Sequence, residues 1–344
     1  MQNSPDAWLK DLWYFALPSR ALKPGRMRAK TLFDEPILFL RDGAGTPSAL
    51  SDICPHRGIP LHHGRFDGRE VECCYHGWRF GTDGTCTAIP SLAEGQQIRL
   101  DRIKVRRYPV HETQGNLWIF LGDSAPTDPP PALPEIGEQG PGLAQSMIFP
   151  CAMDDAVVGL MDPAHGPFVH RAWWWRSRRS VHEKAKRFVP APLGFTMARH
   201  RPSSNSFAYK ILGGTPETEI RFSLPGVRIE HIRVGRHVVC GLTALTPIGP
   251  HETEINHLIY WTMPWLSVLK PLFQPFAAKF LDQDRRIIVL QQEGLAHDPH
   301  LMLINDADTQ ARWYYQLKQE YALSRRDNRP FVNPVEETVL RWRS

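Results

Sequence analysis

The sequence is poor in the features that mark exported, membrane-spanning or nucleic-acid-binding chains. Only six cysteines occur among 344 residues, too few for a disulfide framework in a chain of this length. The longest apolar stretch, Leu258–Leu269, is interrupted by Pro264 and followed by Lys270-Pro271, so no transmembrane segment is expected. The first residues, Met1–Asp6, carry no basic segment followed by an apolar one, and no secretory leader is expected either. Charge of one sign is also scarce: 41 Lys and Arg stand against 36 Asp and Glu, a formal net charge of +5. That mild excess gives no reason to invoke a nucleic-acid partner. There is no G-x-G-x-x-G fingerprint for a flavin or nicotinamide. These absences point to a cytoplasmic protein in a reducing compartment, where free cysteines more often bind metal or do chemistry than cross-link.

What is present is globular. Hydrophobic residues make up 42% of the chain and charged residues 22%, a composition able to bury a core. At roughly 100 to 200 residues per domain, the length fits two domains. The 31 prolines favour loops and strand ends over a helical bundle. One composition shift divides the chain: residues 126–142 read PTDPPPALPEIGEQGPG, with six prolines and three glycines, a stiff extended connector. Before it, residues 1–125 read as short strands between turns, among them Ile37–Leu40, Val71–Cys73, the Asp83-Gly84 turn, and a Gln114-Gly115-Asn116 hairpin leading into Leu117–Phe120. This half is read as all-β. After it, residues 143–344 carry alternating or β-branched segments at 195–197, 207–211, 219–223, 227–233, 237–245 and 254–262, with helical periodicity near 152–165, 272–294 and 307–324. The expected class is α+β, an antiparallel sheet with flanking helices.

Two constellations carry chemistry. In the β half, Cys54-Pro55-His56 and Cys73-Cys74-Tyr75-His76 each offer a thiolate and an imidazole from a short loop, with Gly58 and Gly77 close behind. Two thiolates and two imidazoles suit either a tetrahedral zinc ion or a two-iron, two-sulfur cluster with cysteines on one iron and histidines on the other. The C-x2-H spacing selects Cys73 over Cys74, and Cys86, Cys151 and Cys240 read as small buried hydrophobes.

Past the connector, Asp162, His165 and His170 lie in DPAHGPFVH. On an unbroken helix the two histidines would stand about 140° apart. The reading is that Gly166-Pro167 interrupts the helix and lets His170 swing back toward His165. Two imidazoles and one carboxylate, with positions left open, form the facial set of non-haem Fe(II) oxygenases. The carboxylate is chosen by helical phase. Between Phe273 and Leu295, residues Phe273, Ala277, Phe280, Leu281, Ile287, Ile288, Gln291 and Leu295 fall within about 60° of Asp284. Asp284 thus lies in an apolar stripe, where an unpaired charge is costly, whereas Asp282 falls on the opposite, charged face. A Trp173-Trp174-Trp175 segment followed by Arg176, Arg178, Arg179, Lys184, Lys186 and Arg187 reads as an exposed loop. Trp261, Trp265, Leu266, Leu269, Leu272 and Phe273 read as core, with a greasy entrance lip or a membrane contact as the alternative.

On the CPHRG and CYHGW motifs, the sequence resembles the Rieske non-haem iron oxygenases, with the likeness running from Trp13-Tyr14 to about Gly294. The resemblance implies an N-terminal Rieske [2Fe–2S] domain and a helix-grip catalytic domain. It assigns Cys54 and Cys73 to one iron of the cluster, His56 and His76 to the other, and His165, His170 and Asp284 to a mononuclear Fe(II). It makes Asp162 a bridge between a cluster-ligating histidine of one subunit and an iron-ligating histidine of the next. It further implies a head-to-tail homotrimer, O2 as co-substrate, a separate reductase with or without a ferredoxin passing electrons from NAD(P)H, and a hydrophobic ring-containing substrate that is hydroxylated or oxidatively demethylated. Cis-dihydroxylation and a non-catalytic electron-transfer or lipid-binding role are the alternatives.

Overall fold

The computed structural model describes residues 8–170, 181–202 and 215–344, and divides into two compact units. Lys10–Pro130 is built of strands in three small antiparallel sheets with short 3-10 turns. The apolar run Ile37–Leu40 is wholly buried because its strand, Glu35–Arg41, lies between Arg26–Leu32 and Pro47–Ser51. Such a central strand reads as a continuous hydrophobic run. The Gln114-Gly115 turn adopts positive φ at both positions, 49° and 71°, the two-residue hairpin geometry expected of it. A third sheet, of the strands Arg65–Phe66, Glu70–Glu72, Arg79–Gly81 and Cys86–Ala88, closes over Leu38, Leu50, Leu61, Val71 and Phe80, and Cys54 and Cys73 are built into this core.

The second unit, the described residues from Pro131 to Ser344 with Trp8 and Leu9, holds an eight-stranded antiparallel sheet. Its strand order is Leu143–Phe149, Glu252–Trp261, His237–Gly249, Val227–Val234, Glu217–Ser223, Gly194–His200, Glu183–Ala191 and Thr338–Arg343. The helices among the described residues are α1 (Met153–Met161), α2 (Gly166–Val169), α3 (Pro264–Val268), α4 (Lys270–Leu295) and α5 (Thr309–Arg326). The α+β class is as expected. Phe188, Phe195 and Phe222 of the sheet meet Trp313 and Tyr314 of α5 in edge and tilted contacts, a geometry that adds to plain burial.

Three elements differ from the sequence reading. The strands Leu143–Phe149, Glu183–Ala191 and Thr338–Arg343 went unread. Lys184, Lys186 and Arg187, assigned to an exposed loop, lie on the second of these. Their heads reach Ser344 Oγ at 2.8 Å, the Arg201 carbonyl at 3.3 Å and Glu337 at 2.8 Å. Long basic stems cover a near-edge strand while the charges are met beyond it. Trp261, Leu266 and Phe273 pack with Leu143 and Met263, whereas Trp265 and Leu272 are exposed. The Trp173–Trp175 segment, Arg176, Arg178, Arg179 and the 207–211 strand lie outside the described residues. Among the described residues no helix is long and apolar enough to cross a membrane.

Candidate metal centres

The two Cys–His loops are built alike. In the first, the Cys54 N–H donates to the Ile59 carbonyl at 2.8 Å and the Gly58 N–H to the Cys54 carbonyl at 2.9 Å. In the second, the Cys73 N–H donates to Trp78 and the Gly77 N–H to Cys73, at 2.8 and 3.1 Å. Each loop therefore closes five residues after its cysteine, and Gly58 and Gly77 take φ of 73° and 70°, which a side chain resists. The histidines sit two and three residues past the cysteine, and the offset brings the His56 and His76 rings together at 4.6 Å, edge to face. Trp78 stacks on His56 at 4.6 Å and 5°.

Cys54 and Cys73 are buried and Cys74 is exposed, so the inward-turned sulfur is the one selected by spacing. Burial pushes the Cys54 thiol up; the His56 and Arg57 N–H groups aimed at its sulfur pull the other way, and the adjacent Cys73 thiol adds to the rise. Burial also holds His56 below its ordinary value, with His76 and Arg57 contributing. The His56 Nδ1 atom is buried without a hydrogen-bond partner, a costly state for a ring nitrogen unless a metal takes its lone pair. Two converging thiols and this orphaned nitrogen fit a [2Fe–2S] cluster with mixed ligation. Cys86, Cys151 and Cys240 are buried too, and burial pushes the last two thiols up to about 12, as for inert small hydrophobes.

In the second unit the sequence breaks its helix earlier than expected. Helix α1 ends at Met161, and Asp162 is extended at φ −63°, ψ 116°, because the proline that follows disfavours helical backbone at the residue before it. Gly166-Pro167 then opens α2, with His165 as its N-cap residue; the proline starts a helix there, where its missing N–H costs nothing. The Asp162 Oδ1 atom accepts from the Ala164 N–H at 2.7 Å, and the Asp162 main-chain carbonyl accepts from His165 Nδ1 at 2.8 Å. The carboxylate itself stands 3.7 Å from that nitrogen.

His165, His170 and Asp284 come together. Their candidate ligand atoms all lie within 4.8 Å of one another: Nε2 to Nε2 is 3.2 Å, and Asp284 Oδ1 is 3.8 Å from His165 Nε2 and 3.2 Å from His170 Nε2. Burial holds His165 below its ordinary value against the pull of Asp162 and Asp284, so the ring is neutral near pH 7 and its single proton is on Nδ1. The His170 Nδ1–H donates to Gln283 Oε1 at 3.1 Å. Two imidazole nitrogens and a carboxylate then face one point, a donor set that suits a divalent cation.

Asp284 has the phase read from the sequence, but the stripe around it is only partly core. Leu281 and Ile288 are buried on α4, whereas Phe280 and Ile287 are 38% and 46% exposed. Phe280 instead stacks on His170 at 3.8 Å and 17°, walling the site. Asp282 faces away, paired with Arg285 and Arg286 at 2.9 and 2.8 Å. Sequence reasoning missed Gln283 and also His257, a strand-interior histidine with no local motif. His257 Nδ1 and the Thr243 hydroxyl are 2.9 Å apart. Burial pushes its pKa down to about 4, Arg228 adds to this, and Glu230 and Asp284 oppose it. Register places Arg228, Thr243 and His257 on one sheet face, which therefore fronts the His–His–Asp set.

A β unit with mixed thiolate–imidazole loops, in one chain with a helix-covered sheet carrying two histidines and a carboxylate, offers the donor sets that a Rieske cluster and a mononuclear non-haem iron take. Comparison with known proteins agrees. The Rieske [2Fe-2S] domain family matches residues 12–109. Among curated proteins the chain is 32% identical over 313 residues to chlorophyllide a oxygenase of Arabidopsis thaliana, covering 85% of this chain and 54% of that one. It is 38% identical over 126 residues to 4beta-methylsterol monooxygenase of Methylococcus capsulatus, covering 36% and 34%. The chain spans about half the length, or less, of these relatives. The crystal structure of dicamba monooxygenase bound to dicamba superposes with a TM-score of 0.73 at 22% identity, over 91% of this chain and 98% of that one; at that identity the likeness is one of fold. The chain thus carries a Rieske [2Fe-2S] domain over residues 12–109 and has the fold of dicamba monooxygenase over nine-tenths of its length.

Proposed function

We propose that the chain is the terminal oxygenase of a multicomponent system, using O2 and electrons passed from NAD(P)H by a separate reductase, with or without a ferredoxin, to hydroxylate or oxidatively demethylate a hydrophobic ring-containing substrate. The observation that carries this reading is the convergence of His165, His170 and Asp284 within 4.8 Å, in the same chain as a Rieske domain. When bound, the cluster supplies single electrons and the ferrous ion supplies dioxygen activation. Cys54 and Cys73 hold one cluster iron and His56 and His76 the other. His165 and His170 present Nε2, and Asp284 its carboxylate, to the mononuclear ion, leaving positions open.

Asp162 joins the two centres across a subunit boundary in a head-to-tail trimer. Support for this comes from its place beside His165, with one carboxylate oxygen occupied by the Ala164 N–H and the other directed toward His165 Nδ1 at 3.7 Å. Residues 126–142 connect a Rieske domain at 1–125 to a catalytic domain at 143–344. The names of the relatives support the substrate class, a sterol being a fused-ring hydrophobe. The unpaired thiols fit a cytoplasmic location.

The test is to prepare the protein anaerobically, assay iron and acid-labile sulfide, and then supply O2, a surrogate reductase and a panel of ring compounds. Three irons and two sulfides per chain with O2-dependent product are expected for two iron centres of these types. A single metal per chain without sulfide overturns the proposal.

A further inference from the structure

We propose that Gln283 is a positioning residue for the His–His–Asp set: its side-chain carbonyl fixes the tautomer and ring plane of His170, and with them the affinity of the site for a divalent ion. This deepens the reading above and rests on it.

One turn of α4 grips His170 on three sides. Positions 280, 283 and 284 share a helix face, being related as i, i+3 and i+4. Phe280 covers the ring at 3.8 Å, Gln283 Oε1 takes the Nδ1–H at 3.1 Å, and Asp284 Oδ1 meets Nε2 at 3.2 Å. His170 itself ends a four-residue helix, where its N–H donates to the Gly166 carbonyl at 3.0 Å. Its ring is therefore placed by α4 more than by its own backbone.

The amide oxygen can only accept, so a neutral His170 keeps its one proton on Nδ1 and turns the Nε2 lone pair toward Asp284 and His165. The flipped amide would present N–H to Nδ1, move the proton to Nε2 and block ligation. The two histidines reach the same tautomer by different routes. His165 gives its proton to a main-chain carbonyl, which no substitution removes, whereas His170 gives its proton to a replaceable side chain. Outer partners of metal-binding histidines change metal affinity by about 10–100-fold when removed.

The experiment titrates anaerobic full-length protein with Co(II), read by its visible absorption and by competition with a chelator of known affinity. Wild type binds one Co(II) at this set and His165→Ala does not; failure of that control overturns the metal reading itself. Given the control, Gln283→Leu is expected to weaken Co(II) by about 10–100-fold and to alter its spectrum, while Gln283→Glu, which keeps an accepting oxygen at the same reach, binds at least as tightly as wild type. Wild-type affinity and spectrum in Gln283→Leu overturn the positioning role, as does a loss in Gln283→Glu equal to that in Gln283→Leu. If the leucine variant fails to fold, by melting in chelator, Gln283→Ala takes its place with the same two outcomes.

Discussion

Replacing Asp284 by asparagine should strengthen the metal-free protein while removing its response to metal. Asp284 Oδ1 lies 3.2 Å from His170 Nε2 and 3.8 Å from His165 Nε2, and the Nδ1 atom of each ring has an acceptor of its own, Gln283 Oε1 and the Asp162 carbonyl. With both rings neutral in these tautomers, neither offers the carboxylate a donor. An asparagine of the same shape brings an N–H to the His170 lone pair. A net hydrogen bond is worth about 1 kcal/mol; with the Asp284 side chain 30% exposed, about 0.5–1 kcal/mol is the expected gain. For a unit of this size, that raises the melting temperature by about 1–4 °C. Metal acts oppositely: at a free concentration a hundredfold above Kd, wild type gains about 2.7 kcal/mol, or about 5–10 °C, and the variant far less. Calorimetric melts of anaerobic protein in chelator and in excess Co(II) give all four values. A variant that melts below wild type in chelator, yet gains as much from Co(II), would falsify the argument that three acceptors converge there for a cation.

Other consequences follow from the two centres and the core. Cys73→Ser should abolish the visible absorption and reduced-state spin resonance of the cluster, while Cys74→Ser, at an exposed sulfur, leaves both; the reverse pattern would reassign the ligand. Asp162→Asn keeps an oxygen for the Ala164 N–H, so both centres should load normally while product formation stops; normal turnover in metal-replete variant protein would remove Asp162 from the electron path. Phe188→Ala empties the wholly buried contact with Phe195, Trp313 and Trp342 and should cost about 3–5 kcal/mol by denaturant titration. A cost near that of a surface substitution would mean the aromatic cluster is not the packing centre of its unit.

The parts of the molecule readable from sequence are those in which cause and effect are close along the chain. The Cys–His loops each close within six residues through glycine backbone geometry, so motif and structure coincide. Asp284 was found by helical phase, although for a partly different reason. Phe280, one turn earlier, belongs to the stripe because it stacks on a histidine more than because it enters a core. What could not be read depends on distant pairing. Glu183–Ala191 becomes a strand by pairing with Thr338–Arg343, and its charges resemble those of a solvated loop until Glu337 and Ser344 arrive. His257 acquires its low pKa from strands and a helix packed around it. The sequence puts the helix break at Gly166-Pro167, but Pro163 acts on Asp162 before that pair is reached.

His170 and Gln283 are 113 positions apart, and between them lie most strands of the large sheet. A contact of that span forms only after the intervening chain has ordered, since closing so large a loop is costly until other contacts support it. A divalent ion held by His165, His170 and Asp284 would therefore be a clasp fastened last, finding its three ligands together only after the sheet between them has ordered.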